Sequence, residues 1–299
     1  AFGIELEALT SQALRQPGSS FKPFVYAAAF ERGFHPGSIV LDAPVVFHDR
    51  SSGTSWRPSN DNNVFSGPMR LREAMVSSRN LVSVRILDAI GASYAKRYIQ
   101  GFGFPPESLP ENLSLALGTS SVPPLAAARG YATFVNGGYL IAPYVLARVL
   151  DSNGTIVHAE HAPRACHDCP ERLAATGTRS GGQVAGFNLG DTASPPAADE
   201  AAGPTQPVLA PRAIDERTAF LIHSLLRDVI QRGTGRGARV LERSDIGGKT
   251  GTTNDHRDAW FSGFGGNIVT SAWVGMDDFS TLGTGEFGAR AALPMWIDT

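Results

Sequence analysis

Residues 247–264, GGKTGTTNDHRDAWFSGF, contain two runs typical of β-strands, separated by the turn sequence NDHRD. Threonine and aromatic residues are enriched in strands, whereas Asn and Asp are typical of turns. A third run, IVTSAWVGM, follows at residues 268–276. Neighbouring strand runs at this spacing predict an antiparallel sheet at the end of the chain.

Helical patterns occupy much of the chain before these strands. Pro23 indicates where the first helix begins, because proline lacks an amide hydrogen and is tolerated only within the first turn. Asp215 has the residue type of an N-cap for an amphipathic helix that ends at Gly233. Helices followed by neighbouring antiparallel strands predict an α+β fold. The predicted helices span residues 19–33, 71–76, 81–90, 93–102, 123–135, 215–233 and 288–298.

The middle of the chain changes character twice. Residues 139–160 predict a β-hairpin, because two apolar runs flank Asn153-Gly154, a strong turn signal. Residues 161–210 are rich in Ala, Gly, Pro, Ser and Thr, which predicts a flexible insertion or linker. The remaining ranges, 1–160 and 211–299, are predicted to form one domain that is truncated at both ends.

Composition argues against two classes of protein. The 299 residues carry 26 Lys+Arg and 28 Asp+Glu, so the net charge of −2 offers no basic excess for a nucleic-acid backbone. No apolar run approaches the roughly 18 residues that a membrane helix needs. Because the chain begins without Met or a basic leader and ends within an apolar pattern, we expect a piece of a longer protein.

Only three of the 26 basic residues are lysines, so a lysine within a motif is informative. Ser19 and Lys22 form an S-x-x-K pattern, whose i,i+3 spacing places both side chains on one helix face. A hydroxyl is a weak nucleophile that needs an adjacent base, and lysine becomes that base when burial lowers its pKa. In a second S-x-x-K, we interpret Ser93 as an ordinary helix cap and Lys96 as the margin of a buried stripe.

Ser78, Arg79 and Asn80 form an S-x-N pattern at the break between two predicted helices. The break directs a hydroxyl and an amide out of the helix, and Asn offers both a donor and an acceptor to a peptide bond. A plain interhelical turn is the alternative, since Ser and Asn are common turn residues.

Lys249, Thr250 and Gly251, extended by Thr252 and Thr253, form the most informative motif. An ammonium group, several hydroxyls and a free backbone amide suit the binding of a carboxylate. Gly251 removes a side chain where something must approach the backbone. An edge strand with a solvated lysine is the alternative.

The three motifs in this order resemble the penicillin-binding proteins and serine β-lactamases. Longer strings, including RQPGSSFKPFVYAAAFERG and GGKTGTTNDHRDAWFSGF, are similar to the transpeptidase domain of bifunctional class A penicillin-binding proteins of the 1A type. The resemblance implies an antiparallel sheet flanked by helices, with a helical subdomain. Family members have strands before S-x-x-K, so N-terminal strands are expected to be missing here.

The resemblance also implies a role for the first two motifs. Ser19 would attack the D-Ala-D-Ala carbonyl of a peptidoglycan stem peptide and form an acyl-enzyme, and Lys22 would take its proton. Ser78 would relay a proton to the departing D-Ala. Asn80 would orient Lys22 and the donor peptide.

The third motif would hold the substrate. Lys249 would keep the site electropositive, and Thr250 and Thr252 would bind the terminal carboxylate, with Gly251 and Thr253 in the same segment. The backbone N–H groups of Ser19 and Thr252 would form the oxyanion hole. The amine of a second stem peptide would then convert the acyl-enzyme into a cross-link, without a cofactor or metal.

The implied partners are stem peptides, as donor and as amine acceptor, and β-lactam antibiotics. A glycosyltransferase domain and a membrane anchor are expected in the full-length protein, at the periplasmic face of the inner membrane. One alternative is a serine β-lactamase, which needs a second carboxylate base and usually has S-D-N, where this chain has Arg79. The other is a non-catalytic β-lactam-binding sensor domain.

Three further patterns have simpler interpretations. Cys166 and Cys169 form a C-x-x-C, interpreted as a local disulfide, with a metal site as the alternative. His256 lies in the NDHRD turn and is interpreted as a loop residue rather than as a catalytic base. The glycine-rich stretch at residues 233–237 follows a predicted helix instead of a strand, so it is interpreted as a helix stop rather than a phosphate loop.

Overall fold

The helix Lys22–Glu31 (α1) lies at the centre of the core, and nearly all of its residues are buried. A 3₁₀ turn, Gly18–Phe21, leads into it, and Pro23 stands in its first turn as the sequence predicts. The helix that carries S-x-x-K is anchored by aromatic packing. The ring of Phe24 lies 5.0–5.6 Å from five others, those of Phe21, Phe102, Phe104, Tyr131 and Phe134.

The computed structural model describes residues 8–49, 54–166, 169 and 208–299. Its helices agree closely with the sequence periodicity, because apolar spacing determines which face each helix buries. After α1 they are Leu71–Val76 (α2), Asn80–Ile90 (α3), Ala92–Gln100 (α4), Pro124–Val135 (α5), Glu216–Arg232 (α6), Gly288–Ala291 (α7) and Leu293–Ile297 (α8). Short 3₁₀ turns cover Pro106–Ser108, Leu113–Leu117, Arg236–Leu241 and Asn254–His256, and a π turn covers Ala8–Gln12.

The strands pair antiparallel throughout the described residues. Three pairs are small: Ile39–Asp42 (β1) with Gly67–Arg70 (β4), Phe47–Asp49 (β2) with Thr54–Trp56 (β3), and Arg148–Leu150 (β5) with Ile156–Ala159 (β6). The largest sheet has the order Gly247–Thr252 (β7), Asp258–Gly265 (β8) and Ile268–Gly275 (β9). The strands β7, β8 and β9 are those predicted from the opening stretch and the run after it.

Two apolar clusters hold the sheet to the helices. One joins α1 and α6 to the sheet, with Val229 of α6 and Phe264 of β8 among its buried members. The other lies around Phe261 of β8 and Trp296 of α8, whose ring centroids are 4.9 Å apart. The α+β fold class predicted from the sequence is confirmed.

Contacts divide the chain into two units, Ala1–Leu140 with Arg212–Thr299, and Ile141–Pro211. In the second unit, β5 and β6 form the predicted hairpin, and the Asp151 carboxylate accepts hydrogen bonds from the backbone N–H groups of Asn153 and Thr155. Most of the predicted insertion 161–210 lies outside the described residues. No helix in the described ranges combines the length and apolarity needed to cross a membrane.

Two local expectations are wrong. Ser93 does not cap α4, because that helix begins at Ala92 with Gly91 as its N-cap, and the Ser93 hydroxyl donates to Glu111 instead. The predicted helix 288–298 is two helices, α7 and α8. Pro294 lacks the N–H that would extend the α7 hydrogen-bond ladder, so a new helix starts there.

Candidate active site

Ser19 lies in the 3₁₀ turn that precedes α1, and two glycines allow this turn to pack closely. Gly18 has a φ of +53°, and a Cβ at this position would overlap the carbonyl oxygen of Thr252 at the end of β7. A Cβ at Gly118 would overlap the Gly18 carbonyl in turn, and the Gly18 N–H donates to the Gly118 carbonyl at 3.2 Å. The backbone of Ser19 is therefore fixed beside that of Thr252.

Lys22 is buried and makes three contacts with the S-x-N motif. Its Nζ donates to the Ser78 carbonyl at 2.6 Å, to Asn80 Oδ1 at 2.7 Å and to Ser78 Oγ at 3.2 Å. The first two motifs, more than 50 residues apart in sequence, thus meet in the fold.

The turn between α2 and α3 directs Ser78 toward these lysine contacts. Ser78 has a φ of +56°, a left-handed conformation that is uncommon outside glycine, and its N–H donates to the Met75 carbonyl. Asn80 then starts α3. The first N–H groups of a helix have no partner within it, and here the buried Asn60 supplies one: its Oδ1 accepts from the N–H groups of Asn80 and Leu81 at 3.0 and 3.3 Å.

Asn60→Ala is expected to destabilise the fold and to disrupt the S-x-N turn. The change removes the cap of α3, and it also removes the amide that donates to Asp42 Oδ1 at 2.7 Å. Losing a cap and one partner of a buried carboxylate costs about 2–4 kcal/mol. We expect the melting temperature to fall by about 5–10 °C. Asn254→Ala, a change at an exposed asparagine, is the matched control, and equal melting of the two variants would contradict the assigned role.

Lys249 contacts the same hydroxyl from strand β7. Its Nζ is buried and donates to Ser78 Oγ at 2.9 Å and to the Thr250 carbonyl at 3.1 Å. β7 is an edge strand of the described sheet, but its lysine is not solvated. Ser78 Oγ is therefore the point where the two motif lysines meet.

Burial sets the protonation of this lysine pair. Loss of hydration lowers the pKa of Lys22 from 10.5 to about 7; Asp61 opposes this shift and Arg79 adds to it. Burial also lowers the pKa of Lys249 well below 10.5, and the charge of Lys22 lowers it further. Repulsion between the two amines favours a state in which one is neutral and the other charged.

The hydroxyls of Thr250 and Thr252, which follow Lys249 on β7, contact different neighbours. Thr250 Oγ1 lies 2.7 Å from Thr234 Oγ1, and Thr252 Oγ1 accepts from the Gly288 N–H at 3.1 Å. At Gly251 the group that approaches the backbone is the chain itself, because a Cβ there would overlap the Pro17 carbonyl.

A cleft of about 700 Å³ runs past these groups. Of the predicted site residues, Ser19, Ser78, Thr250 and Thr252 line it. Lys22, Asn80 and Lys249 do not line it; the two lysines contact Ser78 Oγ, and Asn80 contacts Lys22. Gly251 and Thr253 are not part of its lining. Thr253 instead borders a separate polar recess, and its hydroxyl accepts from the Asp258 N–H at 2.8 Å.

Sequence reasoning missed several residues of this site. Asp61 lines the cleft beside the S-x-N motif, and Thr234 and Arg236 line it beside β7. Asp61 belongs to the polar run SNDNN, which the sequence presents as an ordinary loop. Thr234 and Arg236 lie in the glycine-rich helix stop at 233–237: Gly233 does end α6, as predicted, but the stretch also forms a wall of the cleft.

The two remaining motifs have no residue in the lining of the cleft. Cys166 and Cys169 are joined in a disulfide, as predicted from their C-x-x-C pattern. His256 lies in a 3₁₀ turn, where its N–H donates to the Thr253 carbonyl, and it is not among the residues that line the cleft. Its assignment as a loop residue agrees with this position.

Comparison with known proteins places the chain in a family. Residues 5–265 match the family described as penicillin binding protein transpeptidase domain. The chain is 46% identical to penicillin-binding protein 1A of Pseudomonas aeruginosa over 292 residues, which are 96% of this chain and 35% of that protein. It is 40% identical to penicillin-binding protein 1A of Neisseria gonorrhoeae over 288 residues, 96% of this chain and 31% of that protein.

Solved structures agree. The crystal structure of penicillin-binding protein 1A from Haemophilus influenzae superposes with a TM-score of 0.82 at 37% identity, covering 96% of this chain and 42% of that one. The D,D-transpeptidase domain from Eggerthella lenta, at 19% identity and a TM-score of 0.67, covers 99% of this chain and 70% of that one, and shares the fold. The chain spans about a third of the length of the curated relatives it matches. With the three motifs assembled around Ser78 and a family match over most of its length, this chain belongs to the penicillin-binding protein transpeptidase domain family.

Proposed function

We propose that the chain is a penicillin-sensitive D,D-transpeptidase domain that cross-links peptidoglycan stem peptides through an acyl-enzyme on Ser19. The observation that carries this proposal is the convergence of two buried amines on Ser78 Oγ beside a cleft that Ser19 lines. A lysine with a pKa of about 7 is half neutral at neutral pH, so it can accept a proton there.

These positions support the following reaction. Ser19 Oγ attacks the carbonyl between the two D-Ala residues, and its proton passes to neutral Lys22. Ser19 Oγ makes no hydrogen bond to another described residue, so it is available to a substrate in the cleft. The N–H groups of Ser19 and Thr252, held together by the packing of Gly18, would stabilise the oxyanion.

Departure of D-Ala requires a proton on its nitrogen, and Ser78 would donate it. Ser78 would regain that proton from one of the two amines that contact its Oγ. An acceptor amine then attacks the acyl-enzyme carbonyl and forms the new amide, the ester bond to Ser19 breaks, and the proton lost by the amine returns to Ser19 Oγ. Charged Lys249 would keep the site electropositive, and the hydroxyls of Thr250 and Thr252 would bind the terminal carboxylate of the donor, with Gly251 and Thr253 in the same segment.

The proposed setting follows the family. In the full-length protein we expect a glycosyltransferase domain and a membrane anchor, which place this domain at the periplasmic face of the inner membrane. The domain would bind stem peptides as donors and acceptors, and β-lactams would acylate Ser19 and remain there.

The test is a reaction with a donor peptide that ends in D-Ala-D-Ala and an amine acceptor, followed by mass spectrometry. We expect release of one D-Ala for each new amide formed, and stoichiometric trapping by penicillin. Asp61 is a carboxylate in the cleft, so turnover of the chromogenic β-lactam nitrocefin is measured in parallel. Rapid nitrocefin turnover would establish a β-lactamase instead, and acylation without amide formation would establish a sensor domain.

A further inference from the structure

Asp61 contacts Asn80, which in turn contacts Lys22, the proposed base. The Asn80 side chain donates from Nδ2 to Asp61 Oδ1 at 2.8 Å and to the Ser59 carbonyl at 3.0 Å. Its Oδ1 accepts from Lys22 Nζ at 2.7 Å. One amide therefore links an exposed carboxylate at the cleft to the buried amine.

This arrangement permits only one orientation of the amide. If the Asn80 amide were rotated by 180°, its NH₂ group would face the Lys22 amine, and its oxygen would face the Asp61 carboxylate and the Ser59 carbonyl. Both contacts would be unfavourable, because each would pair two donors or two acceptors. Asp61 thus holds Asn80 Oδ1 toward Lys22.

The carboxylate also acts through its charge. Five groups with titratable or charged side chains converge here: Lys22 on α1, Lys249 on β7, Arg79 in the S-x-N turn, Asp61 in the loop before β4 and the buried Asp42 on β1. Asp42 Oδ2 lies 3.6 Å from Arg79 Nε, whereas Asp61 is the carboxylate that stabilises the protonated form of both lysines. Removing that charge would make the amine easier to deprotonate.

We propose that Asp61 is a positioning residue of the transpeptidase reaction, which fixes the Asn80 amide against Lys22 and sets the pH range in which Lys22 serves as the base. The inference rests on the proposed function, because it assigns Lys22 that role. Asp61 acts through Asn80 and does not itself exchange a proton with the substrate.

The experiment measures the second-order rate of labelling by a fluorescent penicillin from pH 5 to pH 9. Asp61→Asn keeps an acceptor for Asn80 Nδ2 but removes the negative charge. The acid limb of the pH–rate profile, where the rate falls as Lys22 becomes protonated, should therefore move about half a pH unit lower. At pH 6 this variant should label about threefold faster than the wild type, as half a unit on the acid limb implies. Asp61→Ala loses both functions: its plateau rate should fall about tenfold, its acid limb should move as in Asp61→Asn, and at pH 6 it should label about threefold more slowly than the wild type.

Asp61→Glu and Asp88→Asn complete the series. The longer carboxylate retains the charge, so its acid limb should stay at the wild-type position. Asp88 is exposed on α3 about 12 Å along the helix from Asn80, so its change should move neither the limb nor the plateau. Thermal melting of each variant separates a lost fold from a shifted profile.

The outcomes are distinct. Opposite effects of Asp61→Asn and Asp61→Ala at pH 6 would support the inference, since a purely structural role predicts loss in both. Wild-type labelling with unmoved profiles in both variants would overturn the role of Asp61 alone. Absence of labelling in the wild type would overturn the proposed function and this inference with it.

Discussion

Ser19→Ala is expected to abolish covalent capture of penicillin and the formation of cross-linked product. The substitution removes the only atom of this residue that can form the acyl bond, and loss of a nucleophile costs about 10⁴-fold or more in rate. The fold should be unaffected, because Ser19 is half-buried and its hydroxyl makes no hydrogen bond to another described residue. We expect its melting temperature to stay within about 2 °C of the wild type.

The chain offers a matched control for this experiment. Ser93 begins the second S-x-x-K, but it is exposed, and its hydroxyl donates to Glu111. Ser93→Ala should label as the wild type does. Persistent label on Ser19→Ala, located by peptide mapping at another serine, would show that the nucleophile is wrongly assigned.

Lys22→Met is expected to lower the acylation rate by about 10³-fold or more at pH 8, because it removes the base of the proposed reaction. In the wild type the base is the neutral amine, so activity is present above the pKa of about 7 and is lost as the pH falls through it. The wild-type rate should therefore fall about tenfold per unit below pH 6. In Lys22→Met this acid limb should disappear.

Lys96→Met is the matched control, since Lys96 is half-buried and its nearest carboxylate oxygen, on Glu111, is 3.8 Å away. It should keep both the rate and the limb of the wild type. Lys22→Met leaves the Ser78 carbonyl and Asn80 Oδ1 without the Lys22 donor. A thermal melt of this variant therefore checks that the protein is folded at the assay temperature. A folded Lys22→Met protein that retains the wild-type acid limb would assign the base to another group, with Lys249 the first to test.

The architecture of the site suggests what two lysines at one serine contribute to the proposed reaction. Each amine alone would be a cation in water, where the pKa of lysine is about 10.4. Burial next to a second amine makes a neutral form available at neutral pH and leaves a charge for a carboxylate. The fold achieves this by bringing residues 22, 78 and 249 to one hydroxyl group from three different elements.

Local sequence was sufficient for the elements and for the motifs. Pro23 indicated the start of α1, Asp215 capped α6, and the Thr-rich and aromatic runs predicted β7, β8 and β9. These features depend on neighbours a few residues apart, so a pattern of local residues predicts them. Ser93 failed as a predicted cap because Gly91 takes the cap position, and its positive φ is not visible in a residue pattern.

The sequence motifs also predicted the lysines and the asparagine near Ser78. Each motif combines residue types that few other kinds of reaction need together. Only the tertiary structure decided that Asn60 caps α3, that Asp61 orients Asn80, and that Thr234 contacts Thr250. Each of these contacts joins groups 16 to 20 residues apart, through loops whose sequence resembles any polar turn. The protonation state of Lys22 is likewise decided only by the tertiary structure. Its pKa depends on complete burial and on the distance to other charges, and both exist only after the chain has packed.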